Sequence, residues 1–409
     1  MLVTASRLAH THLWQRLPKR LRRAGLERAA SLLAPRPSPN PHAGRMVVVA
    51  GVLRAATGLG QSARYCRQAL ASLGEPVETA DVSDAFLAAS SQVPVDPSDA
   101  ASSDGPGIVI VHVNAPLLPL ACLRLGGARL RDRVIVGYWA WELPSVPESW
   151  RRGADFVHEI WVPSHFVADA VRPIADGRPV RVVPHPVALD FGEAPTPRPD
   201  DAGRPFTVLT MFDMSSGFSR KNPVGAIRAF RMAFEDDPSA RLIVKCHSAA
   251  VYPEGRRQML DAAAGAANIL IDERTFDRSQ VIAFLRQGDA FLSLHRSEGF
   301  GLGIAEAMAA GIPAVATNWS GNVDFCDEGN GMPVPVRMIS ASDPQGEYDH
   351  REQFWADPDL EAAASHLLRL RNDSKLRERL GRAARDDVLR RLGPEAYAEA
   401  LSGCRARFA

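Results

Sequence analysis

The chain has 409 residues, 46% hydrophobic and 23% charged, the balance of a globular protein with material for two domains that each bury a core. Forty-eight Lys and Arg are set against forty-seven Asp and Glu, so a molecule this close to neutral is not a general coat for nucleic acid. The five cysteines, at 66, 122, 246, 326 and 404, are odd in number and never in a CxxC spacing, which argues against a disulfide framework or a cysteine-held metal.

The charge is uneven at the start. Residues 1–50 carry nine Lys or Arg and one acid, Glu27. In LWQRLPKRLRRAGLERAASLL, Leu13, Leu17, Leu21 and Leu26 would turn inward if the segment lay on an anionic membrane surface. A helix packed on the protein body and a basic arm are the other readings of 1–44. The opening apolar run is too short for a secretory signal, and no run approaches the roughly 18 residues of a membrane span. The expected location is the cytoplasm, with peripheral contact to the inner membrane face under the first reading.

Strand-like runs then follow at MVVVAG (46–51), IVIVHV (108–113), VIVGYW (134–139), IWVP (160–163) and VRVVPHP (180–186), with helical patterns between several of them. Buried parallel strands with crossover helices read this way, so 45–195 is expected to be a doubly wound α/β domain. Four prolines in FGEAPTPRPDDAGRP (191–205) mark a linker, taken as 196–205. A second alternating series occupies 206–385, with FTVLTM (206–211), ARLIVKC (240–246), NILI (268–271), DAFLSL (289–294) and PAVAT (313–317) as strands, and NPVGAIRAFRMAF and DRSQVIAFLRQ as helices. The DPD at 357–359 reads as a helix cap rather than a metal-binding DxD, because a sustained helical pattern follows it. Residues 386–409 form a closing helical segment that can pack on either domain.

The stretch HRSEGFGLGIAEAMAAGIPAVATNWSG (295–321) joins a strand to a helix through Gly299, Gly301 and Gly303. These glycines permit a tight turn and close approach of a ligand, and IAEAMAA favours helix. In an open α/β sheet such a junction faces the ligand crevice, where free N–H groups suit a phosphate; plain turn chemistry is the alternative. Glu306 on the helix can accept two ribose hydroxyls, and Glu298, before the turn, can orient a sugar. Both acids would also be at home at the positive end of a helix.

EGFGLGIAEAMAAGIPAVAT resembles the donor-site signature of the retaining glycosyltransferases with two Rossmann-like domains, especially glycosyltransferase family 4. The likeness covers the second half and, more weakly, the first. It implies the GT-B architecture, two α/β domains facing across a cleft, with an N-terminal acceptor domain, a C-terminal donor domain and no required metal or cofactor. It assigns the nucleotide ribose to Glu306, and the donor sugar and diphosphate to Glu298, Gly299, Phe300 and Gly301.

DMSSGFSRKNPVGAIRAF (213–230) resembles the family's other diphosphate turn, with Lys221 matching its lysine. The family's upstream arginine is missing, and Arg220 or serine hydroxyls would take its place. Lys221 and helix N–H groups can stabilise a departing diphosphate more than the bound substrate; solvation is the plain alternative for Arg220 and Lys221. Lys245, at the end of RLIVKC, is a further donor-site candidate and His247 a lesser one, although either could simply cap its strand. TGLGQSAR (57–64), with Gly60 and Arg64, resembles the loop where acceptor and donor phosphate meet.

In GYWAWELPSVPESW (137–150), Tyr138, Trp139 and Trp141 stand where the family places a histidine. They could stack on a sugar or fill the domain seam, with Glu142 receiving sugar hydroxyls. His112 and His185 end strand-like runs; hinge packing suits His185 and a crevice position suits His112.

The resulting expectation is transfer of a sugar from a GDP-, UDP- or dTDP-linked donor to a hydroxyl of a glycan or lipid-linked glycan, in surface polysaccharide or lipopolysaccharide synthesis. Glu298, Lys221 and Glu142 are the expected catalytic residues. No protein partner is legible. A phosphorylase-like enzyme and a catalytically idle sugar- or nucleotide-binding module are the alternatives.

Overall fold

The computed structural model describes residues 19–86, 105–191, 203–348 and 352–409. Residues 1–18, with Leu13 and Leu17, and 196–202 of the expected linker lie outside the described residues, as do the side chains of Leu21 and Leu26.

The first half contains β1 (Met46–Gly51), β2 (Val77–Asp81), β3 (Gly107–His112), β4 (Val134–Tyr138), β5 (Glu159–Val162) and β6 (Val180–Val182). They form one parallel sheet in the order β2-β1-β3-β4-β5-β6. Helices α1 (Lys19–Leu33), α2 (Gly58–Ser72), α3 (Leu118–Leu125) and α4 (His165–Val171) belong to this half. Strands β3, β4 and β5 are buried along their whole length, which is why they read as unbroken apolar runs rather than alternating ones.

The second half contains β7 (Phe206–Asp213), α5 (Pro223–Phe234), β8 (Ala240–His247), α6 (Pro253–Ala263), β9 (Ile269–Asp272), α7 (Arg278–Leu285), β10 (Ala290–Ser293), α8 (Leu302–Ala309), β11 (Ala314–Thr317) and β12 (Met332–Val334). Its parallel sheet runs β12-β11-β10-β7-β8-β9. An antiparallel pair, β13 (Val336–Ser340) and β14 (Phe354–Pro358), follows, and then α9 (Leu360–Asn372), α10 (Ser374–Arg391) and α11 (Glu395–Arg407).

The strand order places the site. β7 and β10 are neighbours, but the chain leaves β7 toward β8 and β9 and leaves β10 toward β11 and β12. Where a doubly wound sheet reverses like this, the two outgoing loops diverge and leave a crevice at the carboxyl edge. The turns after β7 and β10 carry Arg220, Lys221 and Glu298.

Four strands are absent from the sequence reading. β2 and β12 are short edge strands, with burial continuous in neither, and the β13–β14 pair stands outside both sheets and is largely exposed along β13. None presents the buried apolar run by which the central strands are recognised. In VRVVPHP only Val180–Val182 pairs as a strand, because Pro184 and Pro186 have no N–H to donate. Of the DPD residues, Asp357 lies in β14 while Asp359 caps α9, accepting from the N–H groups of Glu361 and Ala362 at 2.9 and 3.0 Å.

Helix α11 closes over the first half, placing Tyr397, Leu401 and Cys404 in one core with Val47, Ile108 and Val134. Helix α1 packs on α3 and buries Ala30, with Ala34 buried just past its end, while Leu32 and Leu33 are 84% and 73% exposed. Its described part therefore packs on the protein body along one side and leaves Leu32 and Leu33 in solvent. All five cysteines are buried and free.

Candidate active site

The turn after β7 depends on two left-handed residues, Gly217 at φ +88 and Asn222 at φ +50, the residue types that adopt that conformation at least cost. Asn222 works twice: its Oδ1 caps α5 by accepting from Gly225 N–H at 3.2 Å, and its Nδ2 donates to the Leu294 carbonyl at 2.8 Å. The turn after β7 is thereby tied to the end of β10. Between the two, the helical turn Phe218–Lys221 carries Arg220 and Lys221 toward Glu298.

Arg220 donates from Nη1 to Glu298 Oε2 at 3.0 Å and to the Ser297 carbonyl at 2.8 Å, and from Nη2 to the Ser216 carbonyl at 2.6 Å. Lys221 Nζ donates to Glu298 Oε1 at 2.5 Å. Arg220 is 2% exposed and Glu298 9%. Burial by itself would raise the Glu298 pKa, but the charges of Lys221 and Arg220 outweigh it and hold the carboxyl down at about 2. Burial pushes the Lys221 ammonium down, and Glu298 opposes that shift. Arg220 and Lys221 share this carboxylate and also feel the charge of Glu142, so the group offers two cationic donors that an incoming anion can engage.

The turn after β10 continues through Gly299, whose carbonyl accepts from Ser164 Oγ at 2.6 Å. A Cβ on Gly299 would meet the Trp141 carbonyl at 2.6 Å. Phe300 is buried between His185 and Phe325, with ring centroids 4.8 and 5.0 Å away. Gly301, at φ +95, starts α8 without a side-chain cap, and an uncapped first turn is complementary to negative charge.

Glu306 is 3% exposed on α8. Its Oε1 accepts from Tyr65 Oη at 3.1 Å and from Arg278 Nη1 at 2.6 Å. Arg278 also donates to Asp190 Oδ2 and to the Tyr65 hydroxyl, each at 2.5 Å. Tyr65 is on α2, so this group joins the two halves. Sequence reading missed Tyr65, Asp190 and Arg278: Tyr65 sits among ordinary helix residues, and Arg278 lies within the capping box of Asp277 and Gln280, which reads only as a helix start.

Glu142 accepts from Tyr348 Oη at 3.0 Å, another partner without a sequence signal. Trp141 reaches the seam, with its ring 5.6 Å from that of Tyr348 and its Nε1 donating to the Ser145 carbonyl at 2.8 Å. Tyr138 and Trp139 are fully buried; the Tyr138 hydroxyl donates to the Val183 carbonyl at 2.7 Å, and its ring stacks on His112 at 4.5 Å. His112 is itself interior, its Nδ1 at 2.8 Å from Ser62 Oγ.

Lys245 and Gly60 have local partners. Lys245 donates to the Cys246 carbonyl at 3.0 Å and to the Arg274 carbonyl, with Phe276 beneath it. Gly60 donates to Thr57 Oγ1 at 3.3 Å, and a Cβ there would meet the Ala55 carbonyl at 2.3 Å. Arg64 pins the same loop through the carbonyls of Leu53 and Ala55 at 2.7 and 3.0 Å. His247 lies 3.4 Å from Asp213. Among the described residues no three His, Cys, Asp or Glu side chains converge as a metal cage.

A model of the family described as family 4 glycosyltransferase in conflict systems matches residues 165–392, more than half of the chain. No curated protein matches the sequence. Among solved structures, Anabaena Alr3699/HepE, in complex with UDP and glucose, is similar with a TM-score of 0.60 at 13% identity, over 88% of this chain and 100% of that one. A glycosyltransferase from Rickettsia africae gives 0.58 at 13% identity, over 91% and 99%. S. aureus TarM, in complex with fondaparinux, α-GlcNAc-glycerol and UDP, gives 0.53 at 14% identity over 73% of this chain. The match spans only 55% of TarM. At these identities the likeness is one of fold, two parallel α/β sheets facing across a cleft.

Proposed function

The chain belongs to the family 4 glycosyltransferases of conflict systems, a GT-B glycosyltransferase, and from that premise we propose a retaining, metal-independent transfer of a sugar from a uridine-diphosphate donor to a glycan hydroxyl. The observation that carries the proposal is the shared ion pair of Arg220, Lys221 and Glu298 at the strand-order reversal. UDP in the HepE and TarM complexes supports uridine over guanosine or thymidine.

In this reading the diphosphate lies against Lys221, the turn Gly299–Phe300–Gly301 and the first turn of α8, while Glu306 takes the ribose. As the glycosidic bond breaks, charge grows on the β-phosphate, and Lys221 with the uncapped amides stabilises it more than the bound donor. Both oxygens of Glu298 are engaged, Oε1 by Lys221 and Oε2 by Arg220, so its part is to orient Lys221 and the sugar rather than to attack the anomeric carbon. The acceptor hydroxyl approaches the face from which the phosphate leaves, and the phosphate oxygen takes its proton, preserving anomeric configuration. Glu142 holds the sugar on the side of the first half. Closure of the halves aligns the reactants and keeps water away.

The acceptor we propose is a surface polysaccharide or a lipid-linked glycan at the inner membrane face. The basic α1 with its exposed Leu32 and Leu33 supports this. No helix among the described residues is long and apolar enough to cross a membrane.

Calorimetric titration with UDP, GDP and dTDP, with and without EDTA, tests the donor assignment. The expected result is saturable UDP binding that survives EDTA and falls on the order of tenfold or more in Lys221→Ala, because a diphosphate contact is lost. Binding to none of the three would overturn the transferase reading, and binding abolished by EDTA would overturn metal independence.

A further inference from the structure

We infer that the loop 341–348, which leaves β13 toward the cleft, braces the two sides of this site, and that Tyr348 is a positioning residue for Glu142. The inference rests on the transferase reading for its chemical consequence but not for its geometry.

The loop is fixed internally by Asp343, 5% exposed, whose Oδ1 accepts from Gln345 N–H at 3.1 Å and whose Oδ2 accepts from Glu347 and Tyr348 N–H at 2.9 and 3.1 Å. The Asp343 carbonyl accepts from Gly346 N–H at 2.8 Å. From this base two side chains reach in different directions. Gln345 is bonded twice to the turn after β7: its Oε1 accepts from Phe218 N–H at 2.6 Å and its Nε2 donates to the Met214 carbonyl at 3.1 Å. One amide thus satisfies a donor and an acceptor on either side of Gly217.

Tyr348, 3% exposed, reaches the first half. Its hydroxyl donates to Glu142 and its ring leans on Trp141. The ring also faces Arg220, with Cζ 5.2 Å from its centroid. It lies so close to Gly217 that a Cβ there would be 2.8 Å from Tyr348 Cε2. On the returning strand side, Gln353 accepts from Ser145 N–H at 3.4 Å and donates to Ser145 Oγ at 2.5 Å, a second tie to the same N-terminal segment.

The consequence is mechanical. The turn that holds the proposed diphosphate and the segment that presents Glu142 belong to different halves, and this loop is bonded to both. A carboxylate meant to hold a sugar hydroxyl needs a fixed rotamer, since small misplacements of positioning groups slow reaction steeply. The Tyr348 hydroxyl supplies that restraint for Glu142. Arg220, under the same ring, links its position to Glu298.

The test uses the full chain and the variants Gln345→Ala, Tyr348→Phe, Glu142→Gln and the double variant Tyr348→Phe/Glu142→Gln. Three quantities are measured: amide hydrogen exchange, UDP affinity, and UDP release from UDP-glucose, UDP-galactose and UDP-N-acetylglucosamine. Gln345→Ala is expected to speed exchange at Phe218 at least tenfold and to weaken UDP binding several-fold. Tyr348→Phe keeps the ring; it is expected to speed exchange in 140–145, leave UDP affinity within twofold and lower kcat at least tenfold. The double variant should then be no slower than Glu142→Gln alone, because the hydroxyl acts through Glu142.

Wild-type or higher turnover in Tyr348→Phe, or losses that multiply in the double variant, would overturn the positioning role; higher turnover would make the hydroxyl bond to Glu142 a hindrance to the reaction. If wild type neither binds UDP nor turns over any of the three sugars, the transferase reading fails separately. Exchange then decides the brace: unchanged protection at 214–218 and 140–145 in both single variants overturns it.

Discussion

Glu306 shows how a single carboxylate can be recruited twice. Its Oε1 is shared by Tyr65 and Arg278, at the position proposed for ribose hydroxyls. A nucleoside entering there competes with the tyrosine hydroxyl, and that competition reduces apparent affinity. Tyr65→Phe is therefore expected to tighten UDP binding about threefold to tenfold by calorimetry, the scale of one modest hydrogen bond. Weaker binding would mean that the hydroxyl itself contacts the nucleoside. Glu306→Ala is expected to weaken UDP about tenfold or more while leaving Arg278 paired with Asp190.

At the scale of the element, the turn after β10 is limited by what lies opposite it. Gly299 has an ordinary negative φ, so alanine would be tolerated by its own backbone. The obstacle is the Trp141 carbonyl, backbone of the other half, 2.6 Å from where the Cβ would stand. Gly299→Ala is expected to push the segment 139–142 away and cost about 1–3 kcal/mol in thermal unfolding, with turnover falling further than UDP affinity. Equal losses in both would place the damage in the proposed diphosphate turn rather than in the seam. The contrast with Gly301 is instructive, since its φ of +95 makes glycine a local backbone requirement.

For the whole molecule, interior histidines set the acid limit. His112 is held well below its ordinary pKa of 6.5 and His185 is lowered to about 3, both chiefly by burial. Below pH 6.5 the unfolded chain takes up protons that these folded sites refuse. Stability is therefore expected to fall by about 1.4 kcal/mol per pH unit for each such histidine as pH drops. Glu298 acts in a lower window: with its pKa depressed to about 2, its contribution is complete above the ordinary value of 4.5 and is lost as pH falls through about 2. Thermal melting between pH 7 and 5 should show the first loss, and His185→Gln should flatten that slope. An unchanged slope would clear His185 of the effect.

Much of this protein is legible in the order of its residues. The central strands are written as apolar runs because both faces of each sheet are covered, and Gly299, Gly301, Glu298, Glu306, Arg220 and Lys221 follow local rules of turns, helix starts and charge. What the sequence by itself determined was therefore the pair of α/β halves and the residues near their strand ends from which the proposed donor site is built. The tertiary structure decided the rest. Tyr65, Arg278 and Tyr348 acquire their roles from partners 241, 28 and 206 positions away, and no local pattern records such distances. It also took Tyr138 and Trp139 into the core while leaving Trp141 at the seam, and satisfied Lys245 and Gly60 with nearby backbone and side-chain groups. The physical reason is one of range: turn geometry and helix propensity act over a few residues, whereas the pairing of buried polar groups depends on which surfaces the packed sheets bring together.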